Sequence, residues 1–576
     1  MSKNETSPWN LSSIRPSSIQ AAMKNIEKIT NNLAKRRSRL TNAVSPKVFM
    51  QFVHDLEKLK KQTDKLAVFA HLRFCENSTN QKFVAEMSMV ENFLTKQGNK
   101  LLFFSLWFKR LPVRKAQQLI GKSGSYKYYL ESMWKRRLHS LKEDQEKIIN
   151  LKDTTGASAL NNIYNILTSK FQYQFRGKTY SQEEMVTFVR STSAKTRMEA
   201  YQTLLKPYRD NKEVIGEIYK NIINDWREEN VNLRKYKSPI NVRNSYNDIP
   251  DEAVDVMLKV CEKNQNIFHK FFDIKRKKLG LRKLRRYDLY APLKEEKTRI
   301  SYAKAVSMVL DTFHSFSPQF GVHAHTILEQ QHVHSNIQKG KRSGAFCCPA
   351  SNDHPPFVML TYTEKYRDVS TLAHELGHGI HFMLSQKQTE FTSDACLPLA
   401  ETASIFSEML LSEKVMQDNP KAAKEMLFTK LDDLYASIIR QAGFVSFERE
   451  AHQMMKEGKT IDEMSKVYLE DLRKQLGPKI EVDEIYSYEW CYIPHIFHTP
   501  FYCYAYAFGN LLTLAIYAKY KKEGKKFVPK VIKMLSMGGS AEPKEIARIV
   551  GVDITSEKFW QSGFDYVKKM IKEIES

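Results

Sequence analysis

Two histidines four residues apart, His374 and His378, with Glu375 directly after the first, carry the clearest chemistry in this 576-residue chain. On a helix, residues at this spacing stand one above the other on the same face. Their imidazoles can then converge on one metal ion at about 2.0–2.1 Å, the usual distance for zinc. Glu375 lies beside such an ion rather than on it, where a carboxylate can act as general base toward an attacking water. A catalytic zinc needs three protein ligands and one open position. Glu401 follows His378 by 23 residues. That is enough chain to reverse and return on a second helix, with Pro398 suited to the turn or first helical position. Glu408 lies seven residues further and shares the face of Glu401. It can accept the second N–H of a ligand histidine. The plainer alternatives are a helix whose histidines are solvated or hydrogen-bonded in a core, and a Glu408 that faces solvent.

The elements that must position these residues are helical nearly throughout. Charged and apolar residues alternate at helical spacing over 18–42, 45–77, 79–101, 111–121 and 124–150. Ser45 suits the N-cap of the second, with Pro46 at its first position. Thr192 to Tyr236 reads as helices broken near Pro207. Strand signals are local. Phe357 to Thr363 follows Pro355 and Pro356 and is apolar, aromatic and β-branched; Ser343 to Cys348 is a second candidate. A small sheet beside the motif could add an extended peptide at its edge, or could be a buried sheet with no ligand. The spacing predicts a mainly α protein with an N-terminal helical domain over 1–190 and a catalytic domain over 191–576.

Seven cysteines at irregular spacing, with no C-x-x-C pair, argue against a disulfide framework and against a thiolate zinc site. The first residues show no signal-peptide core, and no run of about 18 apolar residues marks a membrane span. The expectation is a cytoplasmic protein without a membrane partner. Its net charge of +25 raises the question of nucleic acid. The densest basic run, Lys275 to Arg286, would as a helix put Lys and Arg on most faces. No nucleic-acid signature accompanies it, so a solvated basic face is the favoured reading.

HELGH (His374 to His378) followed by ETASIFSE (Glu401 to Glu408) resembles the M3 family of zinc oligopeptidases, and within it oligoendopeptidase F. GKRSGAFC (Gly340 to Cys347), RDVSTLAHELGH (Arg367 to His378), YDLYAPL (Tyr287 to Leu293), LRKYKSPI (Leu233 to Ile240) and PFYCYAYAFG (Pro500 to Gly509) are similar to further blocks of that subfamily. The resemblance covers residues 195–576 well and 1–190 loosely. It implies a large helical zincin-type fold enclosing a deep substrate channel, one Zn²⁺ per chain and oligopeptide substrates. In this family a His and tyrosines on a C-terminal segment face the zinc. That implies His495 and Tyr504 for oxyanion or substrate contact, with His498 and Tyr502 as further substrate contacts. Gly344 and Ala345 are expected substrate contacts on the strand before the motif. Tyr506 and Phe508 read as core packing, and His381 as a residue behind the ligands. His332 and His334 form an H-x-H pair without a third ligand.

The leading expectation is therefore a zinc endopeptidase acting on short peptides. A metallocarboxypeptidase or dipeptidase of another helical H-E-x-x-H family remains open, as does a basic nucleic-acid or partner-binding protein that has lost catalysis. The intact set of ligands and base weighs against the latter.

Overall fold

The structure is a computed structural model and describes residues 5–293 and 299–575. Helix makes up 72% of it, with three small sheets, so the mainly α expectation holds. The long helix Pro46–Glu76 begins as its sequence predicts. Ser45 accepts a hydrogen bond from the Val48 N–H, and Pro46 occupies the first position, where its missing N–H costs nothing. Among the described residues no helix is long and apolar enough to cross a membrane.

The break expected near Pro207 comes slightly later. The helix Ala194–Asp210 runs through Pro207 and stops at Asn211. Pro207 lies in the last turn, and the break follows at Asn211, before the helix Lys212–Trp226. The basic run divides between a helix and a strand. Gln265–Lys278 ends before Gly280, whose φ of +66° turns the chain into the short strand Leu284–Arg285. Several of its charges are taken up internally. Lys275 bonds Asp432 at 2.5 Å, Arg276 and Lys277 pair with Asp273, and the fully buried Arg286 meets Glu489 at 2.6 Å.

The chain forms two compact units, each assembled from separated stretches. The first contains Met1–Glu143, Thr298–Val415 and Lys519–Val552. Its core holds Phe49, Phe52, Phe104 and Phe108 from two long helices, together with Phe357 and Met359 from a three-stranded sheet. That sheet comprises β1 (Val333–His334), β2 (Phe346–Cys348) and β3 (Phe357–Met359) in the order β1-β3-β2. β3 runs parallel to β1, pairing Val358 with Val333, and antiparallel to β2, pairing Val358 with Cys347. The H-x-H pair is absorbed here. His332 stacks on Phe357 with ring centroids 4.1 Å apart, and His334 meets the edge of Trp9 at 5.0 Å.

The second unit contains Asp144–Lys297, Met416–Ala518 and Asp553–Ser576. An aromatic core of Tyr219, Trp490 and Phe497 supports its segment around residues 490–510, with Tyr219 centroids 5.4 and 5.1 Å from the other two. None of the seven cysteines is in a disulfide among the described residues.

Candidate active site and metal centre

The H-E-x-x-H residues sit on one helix, Tyr366–Ser385. Asp368 fixes its start by accepting from the Thr363 N–H and hydroxyl at 2.6 and 2.7 Å and from the Lys365 N–H at 3.1 Å. One turn separates His374 from His378, and their Nε2 atoms come within 3.2 Å. Glu401 arrives on the helix Leu397–Asp418, its Oε2 3.4 Å from His374 Nε2 and 3.5 Å from His378 Nε2. The close crossing depends on Gly377. A Cβ there would stand 2.7 Å from Ser404 Cα and 2.8 Å from the Ala403 carbonyl oxygen.

These three donor atoms form a nearly equilateral triangle. A tetrahedral ion bound at about 2.0–2.1 Å spans ligand–ligand edges of about 3.3–3.4 Å. Edges of 3.2, 3.4 and 3.5 Å therefore fit one face of such a site. Two imidazoles and a carboxylate are also a donor set suited to zinc. Among the described residues one other group could hold an ion, Asp153, Asp225 and Glu229, and it has no imidazole.

The surrounding groups hold the candidate ligands in place. His374 Nδ1 donates to Glu408 Oε1 at 2.6 Å, and Ser370 donates to Glu408 Oε2 at 3.3 Å. The Ala400 carbonyl favours the protonated forms of His378 and of His381, which is buried behind the candidate ligands. Burial would lower the His374 pKa, but the Glu408 carboxylate outweighs it and the result is about 9. Burial and the neighbouring His374 push His378 down to about 4. Burial pushes the Glu375 carboxyl up to about 7. β2 lies at an edge of its sheet, with Gly344 (φ +89°, exposed) and the half-buried Ala345 just before it. Cys347 of β2 faces Gly379 of the motif helix, and Glu375 is among the charges its thiol feels.

The C-terminal His/Tyr segment belongs to the second unit. His495 and His498 lie on the short helix Pro494–His498, and Tyr504 opens the helix Tyr504–Glu523. Ring centroids of His495, Tyr502 and Tyr506 lie 5.4–6.0 Å apart, with all three half-buried. Burial, then the charges of His498 and Arg440, hold His495 below the ordinary histidine pKa. His498 Nε2 donates to Asn165 Oδ1 at 2.8 Å. Tyr504 stands apart from this group. It is fully buried, and its hydroxyl accepts from Asn247 Nδ2 at 2.7 Å. Tyr506, which sequence spacing assigned to the core, joins His495 and Tyr502 instead. The four-residue interval from Tyr502 to Tyr506 was the available signal, and the unknown backbone path before it concealed that signal. Two more residues of this region, Asn247 and Glu448, carry no motif.

Comparison with known proteins bears on both regions. The profile of peptidase family M3 matches residues 187–566, and a second profile, Oligopeptidase F, matches residues 107–173. The chain is 27% identical over 546 residues to an oligoendopeptidase F homolog of Borreliella burgdorferi, covering 92% of this chain and 91% of that protein. It is 24% identical over 587 residues to oligopeptidase PepF of Bacillus subtilis, covering 98% and 86%. Among solved structures, oligoendopeptidase F from Enterococcus faecium superposes with a TM-score of 0.73 at 19% identity, over 96% of this chain and 98% of that one. A candidate peptidase from Chlamydophila abortus gives 0.86 at 24% identity, over 100% and 98%. With a family profile across most of its length and relatives matched nearly end to end, the chain belongs to peptidase family M3 and is a metalloendopeptidase.

Proposed function

We propose that this chain is a zinc-dependent oligoendopeptidase that hydrolyses internal bonds of short, unstructured peptides, with one zinc ion held by His374, His378 and Glu401. The donor triangle carries this reading, because its edges match a tetrahedral face. A zinc ion held there would supply Lewis-acid chemistry, polarising the scissile carbonyl and lowering the pKa of the attacking water. Glu375 accepts the proton of that water and delivers it to the leaving amine. By accepting the Nδ1–H of His374, Glu408 keeps the Nε2 lone pair on the ligand side. The β2 edge, with Gly344 and Ala345, offers main-chain groups to an extended peptide regardless of its side chains.

His495, kept neutral, and the hydroxyls of Tyr502 and Tyr506 are donors for the substrate carbonyl and the oxyanion. His498 adds a contact at the end of its short helix. The burial of Tyr504 supports a holding role for it rather than the direct contact expected from sequence. An enclosing helical channel, as the family resemblance implies, would admit short peptides and exclude bulk water. The gap between the two family profiles supports a division of the sequence near residue 190 into N-terminal helical and catalytic regions, whereas the compact units join residues 1–143 to the stretch that carries the H-E-x-x-H helix. The absence of disulfides among the described residues supports a cytoplasmic setting. Internal pairing of the basic run supports a structural rather than nucleic-acid role for its charge.

Glu375→Gln tests the central step. Metal content should stay at one ion per chain while kcat falls by about 10²–10⁴-fold. Loss of the metal would make Glu375 a ligand. A peptide blocked at both ends should be cut, and its resistance would favour the carboxypeptidase reading.

A further inference from the structure

The segment carrying His495, Tyr502 and Tyr506 contains a backbone conformation that its own sequence does not favour. Phe501 has φ +59°, in the left-handed region that bulky side chains rarely adopt. Something outside the segment must impose it. Two helices supply that constraint, each with two residues one turn apart. From the helix Arg440–Lys456, the fully buried Glu448 accepts the Phe501 N–H at 2.7 Å. His452, four residues on, covers the Phe501 ring with centroids 4.8 Å apart. From the helix Pro239–Asn247, Arg243 Nε donates to the Pro500 carbonyl at 3.1 Å. Asn247, four residues on, donates to the Tyr504 hydroxyl at 2.7 Å. The residues on either side of Phe501 are thus tied at both ends of the reversal.

Resting on the reading of this segment as substrate-facing, we propose that Glu448 is a positioning residue. Its carboxylate holds the left-handed turn at Phe501 and thereby sets Tyr502 and Tyr506 against His495. A buried acidic residue is expensive unless a specific bond requires it. Here the bond is to a main-chain N–H that the reversal would otherwise leave without an acceptor. Burial pushes the Glu448 carboxyl up to about 8, against the pull of the Phe501 N–H and Arg243. Charged or neutral, it retains an acceptor oxygen for Phe501. What the turn needs is therefore the acceptor, and a glutamine supplies one.

The experiment uses the full-length, zinc-loaded enzyme and a quenched fluorescent peptide, with kcat and KM measured separately. Glu448→Met, which fills the volume without an acceptor, should lower kcat by about 10–100-fold, the scale of a small misplacement of reacting groups. KM should stay within about threefold and metal content should be unchanged. Glu448→Gln should restore kcat to within about threefold of the wild type. Tyr502→Phe should cost less in the Glu448→Met background than alone, because its hydroxyl is already misplaced there. Wild-type kcat in Glu448→Met, equal losses in the Met and Gln variants, or an equal Tyr502→Phe cost in both backgrounds would each overturn the proposal. If Glu448→Met does not fold, Arg243→Met removes the partner of Pro500 and should show the same fall in kcat; normal kcat there overturns it. Silent Tyr502→Phe and His495→Ala variants in the wild-type background would overturn the substrate-facing reading, and this proposal with it. Active-site losses in those two beside an unimpaired Glu448→Met would overturn this proposal alone.

Discussion

His374 and His378 meet because an uninterrupted helix returns every fourth residue to the same face, whereas His495 and Tyr502 meet across a chain reversal with a left-handed residue in it. In the first region, regular backbone turns spacing into geometry, and neighbouring carboxylates then orient the rings. In the second, the backbone alone would not adopt the required path, and side chains from two other helices enforce it. The two regions should consequently fail in different ways. Removing a donor from the first leaves the frame standing but deprives the ion of a ligand. Removing a constraint from the second leaves every donor present but displaced.

The comparison is most severely tested at the ligands. His374→Ala, His378→Ala and Glu401→Ala should each lose the metal and abolish peptide hydrolysis, since two ligands are too few for a catalytic zinc. Elemental analysis beside turnover checks this, and full occupancy with normal kcat in any one would break the assignment. In the second region, His495→Ala and Tyr506→Phe should lower kcat by about 10²–10³-fold with metal retained, the cost of one oxyanion donor. A change confined to KM would make them ordinary binding contacts. Glu408→Ala should weaken metal affinity by about 10–100-fold, the usual cost of losing a partner of a ligand histidine. A chelator titration measures it, and unchanged affinity would mean that the 2.6 Å bond does not steer His374. Tyr504→Phe should stay within about tenfold of the wild type, because it forfeits one buried hydrogen bond worth about 1 kcal/mol. A loss as large as that of Tyr506→Phe would erase the distinction between them.

The smallest effect concerns acid stability away from both regions. Burial, with Lys341 nearby, pushes His334 from 6.5 down to about 4. The unfolded chain binds that proton first, so the contribution of His334 to stability is complete above pH 6.5 and lost as the pH falls toward 4. His334→Phe should therefore show a shallower fall in Tm than the wild type across that window. Parallel profiles would remove His334 from the acid response.

The different origins of the two regions also decide what could be read from sequence. The helices were legible because their apolar spacing repeats, and the meeting of His374 and His378 because a helix fixes where residues i and i+4 point. Glu401 follows from the need for a third ligand and a 23-residue interval long enough for a second helix, and Glu408 from its seven-residue spacing on that helix. Tyr504 and Tyr506 could not be separated in this way. Their assignment depends on the path through Pro500 and Phe501, and φ at Phe501 is set by Glu448, which is remote in sequence. The break expected near Pro207 falls at Asn211, one turn later, where the next helix begins at Lys212. The basic run reads as a solvated face, and the internal pairing of Lys275 and Arg286 could not be read because Asp432 and Glu489 come from far along the chain.

The crossing at Gly377 also limits what protein engineering could do with the motif. In H-E-x-x-H the two middle positions are formally unrestricted, but here the second of them touches the backbone of the neighbouring helix. Any side chain introduced at 377 would act as a wedge, lifting Glu401 from the imidazoles while leaving both histidines in register. A library randomised at this site would enrich for glycine even under selection for metal alone. The motif as written on paper has two variable letters; in this fold, one of them is spoken for.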